Sequence, residues 1–297
     1  MSKSEKILVL AVGELLWDIF PDDKRIGGAP ANFAYYLKKI GENPVLISRV
    51  GQDSLGVQAL TTCRSAGLIN DSIQVDSIHP TGRVRVELDK KGVPNFEIEQ
   101  DAAWDFLEEE DHLFSLVKNA AAVYFGTLAQ RNEISRNTIQ RLQAGTGPGC
   151  LKVLDLNLRS PYHNRQIIES SLEMADVLKL NLEELNIVSR LFSFSGTESE
   201  RLKVLMGKFS LKVVAMTAGS EGSLIVAGGK EYRHPGYLVN VVDTVGAGDA
   251  FTAALVDGLI KEMDFDEIGK SANRLASFVC TRKGAWVNIS DLVRPVC

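Results

Sequence analysis

The sequence predicts an α/β fold in which a mainly parallel sheet is covered by helices. Three observations carry this. Six short apolar runs, at 7–12, 45–50, 121–125, 152–156, 177–180 and 213–217, read as buried strands. Amphipathic helical patterns lie between them, the rhythm of strand–helix–strand units. The composition, 45% hydrophobic and 24% charged over 297 residues, is that of a globular chain with material for a large core. That length is about twice a common domain, so two ordinary domains or one large α/β domain are allowed. There is no internal repeat, low-complexity tract or linker rich in Pro, Gly and Ser to divide it.

Taken in order, the run 7–12 ends at Gly13-Glu14. Pro30 then suits a first helical turn, Phe33, Leu37 and Ile40 follow at helical spacing, and Gly41 stands where such a helix stops. Asp53 is placed to cap a second helix ending near Gly67. The segment 83–99 breaks the rhythm. Val84, Val86 and Leu88, then Val93, Phe96 and Ile98, alternate around the turn chemistry of Asp89-Lys90-Lys91-Gly92, which is a hairpin with one apolar face. Inserted between α/β units it is expected to project from the sheet, as a surface ornament or as a lid over the carboxyl edge, where open α/β sheets bind ligands.

Charge and cysteine usage exclude several classes. With 33 Lys and Arg against 38 Asp and Glu, the net charge of −5 offers no basic field for nucleic acid or an anionic membrane. The first residues precede only the short run 7–12, and no stretch approaches a membrane span, so a soluble, cytoplasmic protein is expected. Cys63, Cys150, Cys280 and Cys297 are scattered without metal-ligand spacing and read as reduced thiols.

The chemistry is concentrated in 242–251. Gly246 and Gly248 precede an apolar helical run, so unpaired N–H groups and the helix dipole favour an anion there, with Asp249 at the same spot. Alone, Asp249 is equally the favourable acid of a first turn, and the flanking glycines tilt the balance to a ligand site. Anion site plus carboxylate suits phosphoryl transfer to a hydroxyl, where the protein supplies positioning, N–H donors and a proton acceptor. A P-loop is rejected, because the glycine needed five positions before Gly269-Lys270-Ser271 is Asp264, and no dinucleotide fingerprint follows the first strand.

Asp243-Thr244-Val245-Gly246-Ala247-Gly248-Asp249 and Gly27-Gly28-Ala29-Pro30-Ala31-Asn32, each followed by a helix, resemble the two signatures of the PfkB, or ribokinase-like, carbohydrate kinases. Gly13-Glu14 and Asp155-Leu156-Asn157-Leu158-Arg159 make the fructokinase branch the most similar. The resemblance covers about 7–288 and implies one ribokinase-like domain over 1–297. Its fold would be a Rossmann-like three-layer sandwich with a small β lid at about 83–99. It implies Asp249 as base, the Gly246, Ala247 and Gly248 amides as anion hole, and Asp18, Gly28 and Asn32 as sugar ligands, with Arg159 as a clamp. For ATP it implies Asn181, Glu184, Thr217, Gly219, Gly222 and Asn273, with Glu184 near Mg2+ through water. Asp243 with 281–285 would hold a monovalent cation such as K+. By themselves Asp18, Asn32, Glu184 and Arg159 read as ordinary polar surface residues, and Gly219 and Gly222 as a turn.

The implied reaction is transfer of the ATP γ-phosphoryl to the primary hydroxyl of a ketohexose, D-fructose to fructose 6-phosphate. The alternatives are another acceptor (2-keto-3-deoxygluconate, tagatose phosphate, ribose or a nucleoside) or a sugar-sensing binding protein without turnover. Two departures bear on this. Eight residues separate Asp18 from Gly27, too few for the longer lid excursion of many relatives, which leaves a homodimer of interlocked lids open. Ala29-Pro30 stands where ribokinases carry Lys-Gly, which argues for a hexose over ribose. Phe96 and Trp104 are candidates for the apolar face of the sugar, or are ordinary packing.

Overall fold

The computed structural model describes residues 7–69, 71–88 and 94–293. In chain order the elements are β1 (Leu8–Val12), β2 (Leu16–Ile19), β3 (Lys24–Gly27), α1 (Ala29–Lys39), β4 (Asn43–Gly51), α2 (Ser54–Ser65), β5 (Ile73–Asp76), β6 (Gly82–Leu88) and β7 (Pro94–Ile98). There follow α3 (Asp111–Asn119), β8 (Ala122–Gly126), α4 (Glu133–Ala144), β9 (Leu151–Asp155), α5 (Arg165–Met174), β10 (Val177–Asn181), α6 (Leu182–Phe192) and α7 (Glu198–Lys208). The chain continues with β11 (Val213–Thr217), β12 (Ser223–Ala227), β13 (Lys230–His234), α8 (Ala247–Ile260) and α9 (Phe265–Cys280).

The main sheet has the order β13-β12-β11-β10-β9-β8-β1-β4-β5, parallel from β11 to β5, with β12 and β13 added antiparallel at one edge. All six apolar runs are strands of it. They lack polar alternation because both faces are covered. In β1, Val9 and Ala11 face the core under α1, α2, α8 and α9, while Leu10 and Val12 face the core under α3 to α7. This is the expected three-layer sandwich. The expected caps are present: Pro30 lies in the first turn of α1, and the Asp53 carboxylate accepts from the Gly56 N–H at 2.8 Å.

The lid differs from expectation. It is a four-stranded sheet, β3-β2-β6-β7, and not the 83–99 hairpin alone. β2 pairs antiparallel with β3 and parallel with β6. The turn of four residues between β2 and β3 is closed by the Phe20 N–H on the Asp23 carbonyl at 2.8 Å. Strands of four residues directly behind β1 carry too few alternations to be separated from a loop by pattern. The hairpin turn at 89–92 and Cys297 lie outside the described residues. Cys63, Cys150 and Cys280 are free thiols. Among the described residues no helix is long and apolar enough to cross a membrane.

Candidate active site

Strand register assembles the site. Asp155 pairs with Gly126 on one side and Lys179 on the other, and Asn181 pairs with Thr217, so the carboxyl ends of β8 to β11 form one row. The N-termini of α1 and α8 meet at this edge, the ligand edge of a parallel sheet.

Gly246 caps α8 with φ 81°, and a Cβ there would lie 2.9 Å from the Ala285 Cα, so only glycine lets the turn press against that loop. Among the described residues the Gly246, Gly248 and Asp249 amides have no acceptor, whereas the Ala247 N–H donates to the Thr244 carbonyl at 3.2 Å. The free amides are thus 246, 248 and 249, and the expected set of 246 to 248 is revised at Ala247, which closes the turn.

Asp249 is 9% exposed, and its Oδ2 accepts from Asn32 Nδ2 at 2.8 Å. The Asn32 amide is oriented by Trp286, whose Nε1–H donates to Oδ1 at 2.9 Å and so points the NH2 at Asp249. Burial, then Asp155, pushes the Asp249 carboxyl up to about 6 against Asn32, Lys179 and Arg159. Asn32 is therefore a partner of the base as well as an expected sugar ligand.

Beneath the hole, Lys179 Nζ pairs with Asp155 Oδ1 at 3.2 Å, and Thr252 Oγ1 donates to Asp155 Oδ2 at 3.0 Å. A Cβ on Gly248 would approach Lys179 Nζ to 2.8 Å, so the ammonium lies directly under the hole. Burial would lower this ammonium, but Asp155, Glu184 and Asp249 outweigh it and hold it above its ordinary value. Sequence reasoning assigned no role to Lys179, Asp155, Thr252 or Trp286. The one signal was a lysine inside the apolar run 177–180, which a buried strand tolerates only when its charge is matched.

Asp18, at the end of the lid strand β2, is pushed up to about 6 by burial against the pull of Arg159 and Arg25. Gly28 caps α1 with φ 104°, and a Cβ there would strike the Glu14 carbonyl at 2.3 Å. Glu14 is buried, accepts from the Ala29 N–H at 3.1 Å and is pushed up to about 7 by desolvation. Arg159 is exposed, and its charge acts on Glu14, Asp18 and Asp249, while no ion-pair partner holds it among the described residues.

On the other flank, Asn181 Oδ1 accepts from the Glu184 N–H and the Glu184 carboxylate accepts from the Asn181 and Leu158 N–H groups, each at 2.8 Å. Glu184 is thus buried, not a solvated helix residue. Each of its oxygens keeps a lone pair, so this hard donor fits a water-mediated contact to Mg2+. Thr217, Gly219 and Gly222 form the adjoining turn, closed by the Ala218 N–H on the Gly222 carbonyl at 2.8 Å. For Trp104 the packing alternative holds, and Asn273 has no amide donor left for a nucleotide. Asn273 is buried and commits its amide donors to Ser223 Oγ at 2.7 Å and the Gly269 carbonyl at 2.8 Å, so it packs α9 against β12. Trp104 is 1% exposed in the core, under the Arg131 guanidinium at 4.1 Å, and does not face the site. The Phe96 side chain lies outside the described residues.

A family model described as pfkB family carbohydrate kinase matches residues 19–291. The chain belongs to the pfkB family of carbohydrate kinases. As a carbohydrate kinase it is 29% identical over 301 residues to a fructokinase of Escherichia coli, covering 95% of each chain. It is 28% identical to the sugar kinase PH1459 of Pyrococcus horikoshii, whose structure with ATP superposes with a TM-score of 0.81 over 94% of both chains. A fructokinase from Vibrio cholerae with bound fructose, ADP and calcium is 25% identical, with a TM-score of 0.81 over 95% of this chain and 96% of that one.

At the expected monovalent-cation site the Asp243 carboxylate already faces a guanidinium, so the residues present do not fit a second cation. Asp243 Oδ1 accepts from the Val245 N–H at 3.1 Å, while Oδ2 accepts from the Gly284 N–H at 2.9 Å and faces Arg25 Nη1 at 3.5 Å. The Cys280 carbonyl accepts from the Val242 N–H at 2.8 Å, and the Ala285 carbonyl from the Tyr36 hydroxyl at 2.5 Å.

Proposed function

We propose that this carbohydrate kinase transfers the γ-phosphoryl of MgATP to the primary hydroxyl of a ketohexose, D-fructose to fructose 6-phosphate. The observation that carries the reading is the Asp249 carboxylate, held by Asn32 beside the unpaired amides of Gly246 and Gly248. The sugar O6–H donates to Asp249, the oxygen attacks the γ-phosphorus in line, the P–O bond to ADP breaks, and the proton remains on Asp249. The amides of 246, 248 and 249 face the equatorial oxygens of the moving group. Mg2+ bound with ATP would offset phosphate charge, and Glu184 and Asn181 are the residues that would hold it through water. Asp18 and Asn32 accept from and donate to the other hydroxyls.

A neutral acceptor is favoured by the cations. Arg83 and Arg85 both pair with Glu99, at 2.7 and 3.0 Å, so they are not available to a carboxylate or phosphate on the acceptor. Arg25 is engaged by Asp23 and Asp243, Lys179 by Asp155, and Arg159 faces the buried acids Glu14, Asp18 and Asp249. A panel of fructose, ribose, 2-keto-3-deoxygluconate, tagatose 6-phosphate and nucleosides, followed by ADP release, tests this. Fructose should give the largest kcat/KM, and a clear preference for an acidic acceptor would overturn the assignment.

A further inference from the structure

Arg25 enters the site from the lid. It stands on β3, and its stem lies over Gly284, whose added Cβ would sit 3.3 Å from Arg25 Cδ. Its guanidinium lies 4.3 Å from the centre of the Phe20 ring, its Nε pairs with Asp23 Oδ2 at 3.0 Å, and its Nη1 faces Asp243 Oδ2 at 3.5 Å. The Arg25 and Asp243 side chains are only 19% and 18% exposed. The same Asp243 carboxylate accepts from Val245 in the anion-hole turn and from Gly284 in the neighbouring loop. One carboxylate therefore joins the lid strand, the turn that carries Gly246, and the 281–285 loop on which Gly246 rests.

A guanidinium stays charged at every pH the fold survives, and its planar fork of donors matches a carboxylate edge. With this cation beside it, the Asp243 charge is already matched, and the place a monovalent ion would take is filled by a group of the chain itself. We propose that the Arg25 guanidinium is the fixed cation of the anion hole, and that through Asp243 it holds the 243–246 turn in position from the lid. Arg25 is a positioning residue: it touches Asp243, not the reacting atoms. This inference rests on the kinase reading of that turn and adds that activity needs no added monovalent ion.

The test uses the full chain, and Arg25→Ala and Arg25→Gln variants, in KCl and in tetramethylammonium chloride at equal ionic strength. Melting temperature is read without substrate, and ADP release is read with fructose and MgATP. The wild type should melt at the same temperature and turn over at the same rate in both salts. Each variant should melt ~2 °C or more higher in KCl, as K+ enters the vacated place, and regain ~5-fold or more of its lost turnover there. Arg25→Gln keeps most of the stem over Phe20 if the alanine variant fails to fold. A wild type stabilised or activated by K+ overturns the proposal, as do variants indifferent to the salt. The melting comparison stands without turnover, so a chain that phosphorylates no sugar yet shows the variant-specific K+ shift sinks the kinase reading and keeps the cation assignment.

Discussion

Asp249 is a buried acid whose environment is set by three neighbours of different kinds: the Asn32 amide, the Asp155 carboxylate and the Lys179 ammonium. Asp249→Asn removes the proton acceptor while keeping shape, so kcat should fall by about 10²–10⁴ with the sugar KM little changed. Its folded pKa, raised from 3.8 to about 6, means that the ionised form opposes folding, by about 3 kcal/mol at pH above both values and by nothing below 3.8. Thermal unfolding should therefore show Asp249→Asn more stable than wild type at pH 7.5 and not at pH 3.5. The same value places an acid limb in kcat/KM, which should drop below about pH 6, steepened by Asp18 at about 6. Trp286→Phe frees the Asn32 amide to turn its oxygen toward Asp249. We expect a fall in kcat of about tenfold or more, measured at saturating sugar.

At the scale of elements, the buried strands and the helices at 30 and 54 were legible because each buries apolar residues in a pattern with a period. The two loop-to-helix junctions were legible because they need glycine and Asp249 together. Three things were not. The antiparallel edge strands β12 and β13 and the lid strands β2 and β3 are short, and their partners are set by register, which leaves no local trace. The Lys179–Asp155–Thr252 network joins β9, β10 and α8 across about a hundred residues of sequence, so no spacing announces it. Asn273 carries a motif position, yet its amide donors are engaged by Ser223 and Gly269, a fact of packing. Lys179→Met leaves the Asp155 charge buried without its cation. Urea unfolding should show a loss of about 3–5 kcal/mol, largely recovered when Asp155→Asn is added.

At the scale of the molecule, the three-layer body supplies the carboxyl edge and two helix N-termini, while a separate four-stranded sheet carries Asp18 and Arg25. A sugar bound between them should protect the backbone of β2 and β3 from hydrogen exchange more than that of the central strands, which are already closed. The direct test of the whole account is a crystal structure with fructose and a non-hydrolysable ATP analogue. The sugar O6 should lie within hydrogen-bond reach of an Asp249 oxygen, with γ-phosphate oxygens on the Gly246 and Gly248 amides. A sugar bound with O6 directed away from Asp249, or a γ-phosphate seated elsewhere, would contradict it.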